Sequence, residues 1–290
     1  MATPSNQEKI ILFYEFVPLA DPEAIRLWQS TLCESLDLFG RIIISSKGIN
    51  GTLGGNINKL KSYVRQTRTY APFKETQIKW GSGKKSDFPK LSVKHREETV
   101  TLQATLDYEV DEAGVVDGGQ YIKPQDLDAF VAANDDVVFF DGRNKYESDI
   151  GKFKDAVTPP INSFKDFEKE LDKPEYEALK EKKIITYCTG GIRCEVLTPL
   201  MKAKGFKNVY QVHGGIVKYG EHAKDKGLWE GKCFVFDNRM SIAFSDSAKD
   251  IAECKECGKA TSDCVNFPTK AHRDLVIMCK ECQEKLKVNA

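Results

Sequence analysis

Long hydrophobic runs are missing from this sequence. No apolar stretch approaches the roughly 20 residues that a membrane-spanning helix needs, so we expect no membrane partner and no integral membrane protein. The N-terminal stretch MATPSNQEKIILFYEF also lacks the basic region, the apolar core and the small-residue cleavage site of an export signal. A cytoplasmic protein is therefore expected.

An excess of charge of either sign is missing as well. The chain carries 43 Lys and Arg residues against 43 Asp and Glu residues, so its net charge does not indicate a polyanionic partner. A nucleic-acid site would have to be a local basic patch. The sequence also shows no internal repeat, no NAD or flavin motif, and no histidine and carboxylate triad for iron.

Cysteine, by contrast, occurs nine times. Because the cytoplasm is reducing, we expect these thiols to serve catalysis or metal binding and not a disulfide framework. A chain of 290 residues is long enough for two or three compact units, so the cysteines need not share one site.

The first hundred residues predict strands and helices in the order β-α-β-β-α-β. KIILFYEFVPL predicts a buried strand, and DPEAIRLWQSTLCESLDLF predicts a helix with apolar residues at helical spacing. GRIIISSKGINGTLGG predicts two short strands around a Gly/Asn turn, NINKLKSYVRQTRTY a second helix, and TQIKW and KLSVKHREETVTL further strands. This order predicts a ferredoxin-like α+β sandwich.

The next segment alternates short buried strands with helices. DVVFFDGRN, IITYCTGG and NVYQVHGG predict strands, while PQDLDAFVAAN, FEKELDKPEYEALKEKK and IRCEVLTPLMKAKG predict helices. Such alternation predicts a parallel, doubly wound α/β domain. The predicted α/β protein has a ferredoxin-like domain at residues 1–105, a linker at 106–122, a parallel α/β domain at 123–232 and a small cysteine-rich region at 233–290.

The stretch IITYCTGGIRCE places Cys188 directly after an apolar strand and before a helix. In parallel α/β sheets, ligands bind beyond the carboxyl ends of the strands. Loop amides and the helix N-terminus both favour an anion, so they are expected to lower the pKa of the Cys188 thiol. The residues that follow let the backbone turn and end in a fixed positive charge: Thr189, Gly190, Gly191, Ile192 and Arg193.

Two enzyme chemistries use a cysteine loop of this kind, namely those of phosphatases and sulfurtransferases. Four residues separate Cys188 from Arg193, whereas the loops of tyrosine phosphatases are longer. The shorter ring is expected to be too tight for a phosphoryl group but to suit a thiolate or its persulfide. The alternative is that Cys188 is a buried structural cysteine in the turn before the helix and has no catalytic function. The adjacent Cys194 is expected to be structural and to face the core, with a resolving thiol as the alternative.

Two motifs resemble those of rhodanese domains: FFDGRNKYESDIGKFKDAVTPP matches the motif that precedes the cysteine loop, and VYQVHGGI the strand with a double-glycine turn. The matching residues of the first motif are Asp141, Arg143, Glu147, Gly151, Ala156 and Pro159. Lys152 and Asp155 depart from the rhodanese pattern, outside the cysteine loop. By this resemblance Cys188 carries sulfane sulfur as a persulfide. The charges of Asp141 and Arg143 predict that they support the loop by charge-assisted hydrogen bonds.

The resemblance extends over nearly the whole chain. KGINGTLGG, FDGRNKYE, YCTGGIRCE, NVYQVHGGIVKYG and WEGKCFVFDNRM, in this order, resemble the bacterial tRNA uridine hydroxylase family. Its members join a ferredoxin-like domain, a rhodanese domain and a cysteine-bearing tail. The resemblance implies hydroxylation of uridine at anticodon position 34 to 5-hydroxyuridine. Molecular oxygen would be the cosubstrate, and the anticodon stem-loop of tRNA would be the partner.

The cysteine loop suits this reaction chemically. Carbon 5 of uracil is a poor nucleophile until a group adds at carbon 6. Addition of the Cys188 thiolate there would form an enolate and activate carbon 5 toward an electrophilic oxygen species. Arg193 and the loop amides would stabilise the developing charge. We therefore expect Cys188 to be the essential nucleophile, either in this addition or as a persulfide.

Two Cys-x-x-Cys pairs in the C-terminal region indicate a metal site. Two such pairs offer four thiolates, which form a tetrahedral zinc site, and we expect a structural zinc ion there. Zinc has no redox chemistry, so iron in the same cluster is the alternative if the reaction needs a redox metal. Cys264 and His272 lie between the pairs as further candidates. The pairs are separated by 21 residues and consist of Cys254, Cys257, Cys279 and Cys282.

Basic residues concentrate in KLKSYVRQTR and KWGSGKKSDFPKLSVKHRE of the first domain and in MKAKGFK of the second. Phosphate contacts from such residues would supply most of the affinity for tRNA. We expect Lys84, Lys85 and Arg96 to contact tRNA, while an anticodon base stacks on an aromatic side chain. A solvated charged face is the alternative for each run. GINGTLGG is expected to form either a hairpin turn or a wall of the active site.

Three functions therefore stay open at this point. The first is the tRNA hydroxylase, and the second is a sulfurtransferase that passes sulfane sulfur from Cys188 to a thiophilic or RNA acceptor. The third is a binding module with a vestigial rhodanese domain, against which the intact Cys188 and Arg193 argue. The first two share a nucleophile, so only the resemblance of the flanking domains separates them.

Overall fold

The computed structural model describes residues 7–105, 107–224, 226–268 and 273–288. The chain divides into two compact units, Met1–Gly118 and Gly119–Ala290. None of the helices in these described ranges is long and apolar enough to cross a membrane.

The first unit contains a five-stranded sheet and two main helices. The sheet has the order β4-β1-β3-β2-β5, in which β5 runs parallel to β2 and the other neighbours are antiparallel. The first four strands and two helices confirm the predicted ferredoxin-like sandwich. The elements are β1 (Glu8–Phe16), α1 (Pro22–Ser35), β2 (Phe39–Ser45), β3 (Gly48–Asn56), α2 (Ile57–Thr67), β4 (Ile78–Gly81), β5 (Leu91–His95) and the hairpin β6 (Val110–Asp111) and β7 (Gly114–Val115).

Local sequence signals account for the helices of this unit. Asp21 caps α1, because its carboxylate accepts a hydrogen bond from the amide of Ala24 at 2.9 Å, and a proline occupies the first turn. Both helices turn an apolar face to the sheet, which buries Ile25 of α1 and Leu60 of α2 in the same core as Phe13 of β1. The residues of this hydrophobic core therefore all belong to the first unit.

The glycines of KGINGTLGG lie in strand β3, so the predicted Gly/Asn turn is wrong, although both strands are present. The chain turns at residues 46–47 instead. A Cβ atom at Gly51 would lie 2.3 Å from Cζ of Phe13, whose ring fills the space on the neighbouring strand. Glycine is required here because a side chain packs against the backbone of β3, which a sequence pattern does not distinguish from a turn.

The second unit is built on a parallel sheet with the order β8-β12-β11-β9, which confirms the predicted parallel α/β domain. Its elements are β8 (Gln120–Ile122), α3 (Pro124–Ala132), β9 (Val137–Asp141), α4 (Lys145–Ile150), β10 (Gly151–Phe153), α5 (Phe167–Glu170), β11 (Lys183–Tyr187), α6 (Ile192–Ala203), β12 (Asn208–Val212), α7 (Gly215–Ala223), β13 (Trp229–Gly231), β14 (Cys233–Phe234), β15 (Ser241–Ile242), β16 (Cys264–Pro268), β17 (Arg273–Ile277) and α8 (Lys280–Val288).

The long helix predicted from FEKELDKPEYEALKEKK is wrong. The segment forms the single turn α5 and then a separate 3-10 helix at Pro174–Leu179. Pro174 lacks an amide hydrogen and its ring crowds the preceding turn, which disfavours a continuous helix here, although helix α6 accommodates Pro199.

The cysteine-bearing tail packs on the parallel α/β domain. Cys233 is buried in the same cluster as Phe153 and Tyr187 of that domain. Further along the tail, Cys264 packs with Ile150 of α4. These contacts bring the start of the tail close to the end of strand β11, where the cysteine loop begins.

Candidate active site

The cysteine loop joins the carboxyl end of the central strand β11 to helix α6. Tyr187 ends the strand, Cys188 follows it, and α6 begins at Ile192. Gly191 precedes the helix with φ of 100°, a left-handed conformation that favours glycine. This turn directs amides of the loop and of the first helical turn toward the Cys188 side chain, as an anion site at a helix N-terminus requires.

The surroundings of Cys188 favour the thiolate form of its side chain. The amide of Gly191 donates a hydrogen bond to its Sγ at 3.1 Å. Burial alone would raise the pKa of this thiol, but a hydrogen bond from Cys194, the positive charge of Arg193 and the backbone amides of both these residues lower it to about 5. The side chain has no exposed surface in this structure (0%).

The pKa of the neighbouring Cys194 is shifted in the opposite direction. It is 1% exposed, so its side chain faces the core as expected. Burial and the hydrogen bond to Cys188 raise the pKa of Cys194 well above its ordinary value. These effects favour the protonated thiol of Cys194 next to the Cys188 sulfur.

Arg193 is held by a carboxylate that the sequence analysis did not assign to the site. Its guanidinium donates two hydrogen bonds to Glu147, at 2.6 and 2.7 Å, and one to Oγ1 of Thr189 at 3.3 Å. Glu147 is fully buried and Arg193 is 9% exposed, so this is a buried, bidentate ion pair. The pair fixes the orientation of the positive charge that lowers the pKa of Cys188. Glu147 occurs in the motif FDGRNKYE, and this motif was the sequence signal that could have identified it as a residue of the site.

Asp141 and Arg143 form a second buried ion pair next to the first. Arg143 donates to Asp141 at 2.8 and 2.6 Å and to the carbonyl oxygens of Glu147 and Gly151 at 3.3 and 2.6 Å. Through these bonds the pair holds helix α4, which carries Glu147. The pair also contacts the end of strand β11, because the guanidinium of Arg143 lies 5.5 Å from the ring centroid of Tyr187, which directly precedes Cys188.

The double-glycine turn after β12 closes one side of the loop. The amides of Ile216 and Val217 donate to the carbonyl oxygens of Cys188 and Thr189, both at 3.0 Å. A Cβ atom at Gly215 would lie 2.4 Å from the carbonyl oxygen of Cys188, so only glycine fits there. The motif VYQVHGGI thus fixes the backbone of the cysteine loop.

The segment CFVFDNRM of the tail covers the other side. Oγ1 of Thr189 donates to the carbonyl oxygen of Phe234 at 3.5 Å, and the Phe236 ring lies 5.5 Å from the guanidinium of Arg193. Phe236 itself is 50% exposed, which is unusual for a large apolar side chain. Because Cys188 is enclosed, a substrate reaches it only when part of this cover moves.

The two Cys-x-x-Cys pairs of the tail meet as expected. Sγ of Cys257 lies 3.8 Å from Sγ of Cys279, the spacing that two thiolates about 2.3 Å from a tetrahedral metal ion adopt. Cys264 lies outside this group and is packed against apolar side chains, while His272 lies outside the described residues. The four Sγ atoms all lie within 4.8 Å of one another, in a group that could hold a metal ion: Cys254, Cys257, Cys279 and Cys282.

The basic residues assigned to tRNA do not form one patch. Lys85 pairs with Asp37 and lies over the ring of Phe39, at the start of strand β2. The amide of Arg96 bonds to the carbonyl oxygen of Ile44 near the other end of that strand. At about 3.3 Å per residue these positions are about 16 Å apart. Lys84 directly precedes Lys85 in the sequence, and its side chain is exposed.

Comparison with protein-family models agrees with this architecture. Residues 8–99 match the UPF0176 acylphosphatase-like domain, residues 123–222 the rhodanese-like domain and residues 230–289 the rhodanese C-terminal region. The parallel sheet and the cysteine loop at its carboxyl edge thus define a protein of the rhodanese-like class.

The curated relatives are more specific. The tRNA uridine(34) hydroxylase of Rhodococcus opacus is 54% identical over 98% of this chain and 99% of its own length. The proteins of that name from Corynebacterium jeikeium and an Arthrobacter species are 50% and 52% identical, over 97% and 94% of this chain and 91% and 94% of their own lengths. The chain belongs to the tRNA uridine(34) hydroxylase family.

Proposed function

We propose that this protein hydroxylates uridine at anticodon position 34 of tRNA to 5-hydroxyuridine, with Cys188 as the essential nucleophile. The observation that carries the proposal is the Cys188 thiolate, held between loop amides and the Arg193–Glu147 pair at the carboxyl edge of the sheet. Membership in the tRNA uridine(34) hydroxylase family supports the choice of substrate. A reaction on tRNA also agrees with a cytoplasmic location.

The thiolate supplies the activation that uracil needs. Its sulfur forms a bond to carbon 6 of the base, and the electron pair of the ring double bond moves onto the adjacent carbonyl oxygen as an enolate. Carbon 5 then attacks an electrophilic oxygen species. Loss of the proton from carbon 5 and departure of the thiolate restore the double bond and release the hydroxylated base.

The residues around Cys188 stabilise the negative charge of the enolate in two ways. Amides of the loop and of the first turn of α6 donate hydrogen bonds to negative charge without having to reorganise. Arg193 adds a positive charge whose position is fixed by Glu147 and Thr189. Asp141 and Arg143 act as positioning residues, because Arg143, paired with Asp141, donates to the carbonyl oxygens of Glu147 and Gly151.

Molecular oxygen is the oxidant that we propose. Replacement of hydrogen by hydroxyl at carbon 5 is a two-electron oxidation of the base that takes up one atom of molecular oxygen. The other atom leaves as water, which requires two electrons and two protons from an external reductant, as in a monooxygenase. For the cysteine tail we propose structural zinc, because four thiolates with a 3.8 Å spacing suit a closed tetrahedral site. Zinc there stabilises the tail and takes no part in the oxidation.

Each domain has a separate role in this proposal. The ferredoxin-like domain, residues 1–105, binds the anticodon stem-loop with contributions from Lys84, Lys85 and Arg96. Residues 106–122 are the linker, the rhodanese domain at 123–232 carries the chemistry, and the region at 233–290 binds zinc and covers the cysteine loop. Among the three lysine and arginine residues, Lys84 and Arg96 are exposed and available for phosphate contacts.

Sulfur transfer from Cys188 is the second candidate. A short loop of amides around an enclosed sulfur also suits a persulfide, which carries the same negative charge as the thiolate. The two candidates predict different products, because one adds oxygen to the base and the other adds sulfur to an acceptor.

Mass spectrometry of tRNA nucleosides separates the two candidates. Cells lacking the gene should lose 5-hydroxyuridine and its derivatives and regain them with the wild-type gene but not with Cys188→Ser. Purified protein incubated with unmodified tRNA under ¹⁸O₂ should place the heavy isotope in the nucleoside. Loss of thiolated nucleosides with 5-hydroxyuridine unchanged would instead establish sulfur transfer. Full hydroxylase activity of Cys188→Ser would exclude Cys188 as the essential nucleophile, both in the addition to carbon 6 and as a persulfide.

A further inference from the structure

The first unit contains a cleft between helix α2 and the edge strand β4. Its volume is about 460 Å³. We call it the α2–β4 cleft, and its lining consists of Lys61, Val64, Arg65, Arg68, Ile78 and Trp80.

The helical period brings the three cations of the α2–β4 cleft together. Lys61, Arg65 and Arg68 follow one another at spacings of four and three residues, so they lie on one face of α2 and its C-terminal cap. Trp80 lies opposite on β4 and packs against the core of the unit while part of its ring stays accessible. The cleft thus combines a row of positive charges with an anchored aromatic surface.

The three cations are not neutralised within the protein. Across residues 7–105, 107–224, 226–268 and 273–288, no carboxylate lies within ion-pair distance of them. By contrast, Lys59 and Lys85 of the same unit share the carboxylate of Asp37. The side chain of Arg68 donates to the carbonyl oxygen of Thr76, at 2.7 Å. A row of unpaired cations in a concave surface attracts an anionic chain.

We propose that the α2–β4 cleft binds the RNA of the reaction, with the three cations on successive phosphates and Trp80 stacked on an unpaired base. Phosphodiester contacts and base stacking are the two sequence-tolerant elements of single-stranded nucleic-acid binding. The inference rests on the proposed function and deepens it, because it adds a second RNA-binding surface to the one proposed for Lys84, Lys85 and Arg96.

The charge part of the proposal is tested with a triple variant, Lys61→Gln, Arg65→Gln and Arg68→Gln. The matched control removes three exposed, unpaired lysines of the second unit: Lys154→Gln, Lys165→Gln and Lys169→Gln. Both full-length variants lose the same net charge. Affinity for an unmodified tRNA transcript with uridine at position 34 is measured by fluorescence anisotropy at several salt concentrations, and unfolding temperatures establish that each variant is folded.

The stacking part is tested with Trp80→Phe and Trp80→Leu. Phenylalanine keeps an aromatic face, whereas leucine keeps apolar packing against the core without one. We expect Trp80→Leu to weaken tRNA binding about 5- to 100-fold at all salt concentrations, and Trp80→Phe to retain most of the affinity.

The triple variant should bind tRNA about 10- to 100-fold more weakly near 0.1 M salt. The slope of the logarithm of affinity against the logarithm of salt concentration should become shallower by about 2 to 3, because about three phosphate contacts are lost. The control variant should bind like the wild type. A folded triple variant with wild-type affinity and salt dependence, or equal weakening in the control, would overturn the assignment of the cleft while hydroxylation by the wild type stands. Absence of tRNA binding and hydroxylation in the wild type would overturn both the cleft and the proposed function.

Discussion

Two groups of cysteines in the second unit contrast with each other. The sulfur of Cys188 accepts a hydrogen bond from the amide of Gly191 at 3.1 Å and lies close to the positive charge of Arg193. The four tail cysteines instead turn their sulfur atoms toward one another within 4.8 Å. The Cys188 sulfur thus lies beside a guanidinium, whereas each tail sulfur lies beside three other sulfur atoms, although Sγ of Cys254 also accepts an amide hydrogen bond from Cys279 at 3.3 Å.

The difference teaches that the neighbours of a thiol decide its chemistry. Amides and a guanidinium stabilise a single thiolate and leave its lone pairs free for attack, which suits a nucleophile. Four thiolates in contact repel one another until a cation enters, which suits a closed metal site. Each of the predictions below tests one side of this contrast.

Replacing the nucleophile should have the largest effect. Cys188→Ser removes a thiolate and leaves a hydroxyl group that stays protonated, so hydroxylation should fall at least about 1,000-fold. The unfolding temperature should change little, because serine is nearly the same size. Activity is measured as 5-hydroxyuridine formed per enzyme by mass spectrometry. Cys33→Ala is the control, since Cys33 is buried in the core of the other unit, and it should stay active.

Replacing a tail cysteine should affect stability more than chemistry. Cys279→Ser removes one of four sulfur ligands, so the variant should lose its stoichiometric zinc and unfold at a lower temperature. Its activity, measured below the new unfolding temperature, should fall less than that of Cys188→Ser. Metal content is determined by mass spectrometry. Cys264→Ser should keep its zinc, because Cys264 lies outside the group; a purified wild type without any metal would disprove the zinc assignment.

The contrast also shows which parts of the structure a sequence can predict. The ferredoxin-like order, the parallel sheet and the four tail cysteines depend on local periodicity and spacing, and each was predicted. The break at Pro174 was missed because the apolar pattern of the segment outweighed a single helix-breaking residue. Local patterns are therefore reliable where no single residue overrides them.

Long-range contacts of the site were not predicted. Glu147 and Arg193 are 46 residues apart in sequence, and only the fold of the domain brings them together as a bidentate pair. Phe236 is in the tail, yet it lies against the guanidinium of Arg193. The family motifs contain both residues, but motifs carry no distances, so these contacts could not be derived from the sequence.

The ion pair provides the third test. Glu147→Gln leaves the buried guanidinium of Arg193 without its counter-charge, so the free energy of unfolding should fall by about 3 kcal/mol. Hydroxylation should fall as well, because Arg193 is no longer fixed. Asp149→Asn is the control on the same helix, where the exposed pair with Lys145 contributes at most about 0.5 kcal/mol. Equal stability of the two variants in urea unfolding would mean that the buried pair is not a structural requirement.

The smallest expected effect concerns Cys194, whose thiol helps to lower the pKa of Cys188. Cys194→Ala removes this thiol, so the pKa of Cys188 should rise above about 5, and more of the enzyme is protonated and inactive at acid pH. The acid limb of the profile of kcat/KM against pH should therefore move to higher pH, while the rate near pH 8 changes little. Cys194→Ser keeps a donor and should keep the wild-type profile. A requirement for Cys194 as a resolving thiol predicts the opposite pattern, because serine and alanine would then abolish activity equally at every pH.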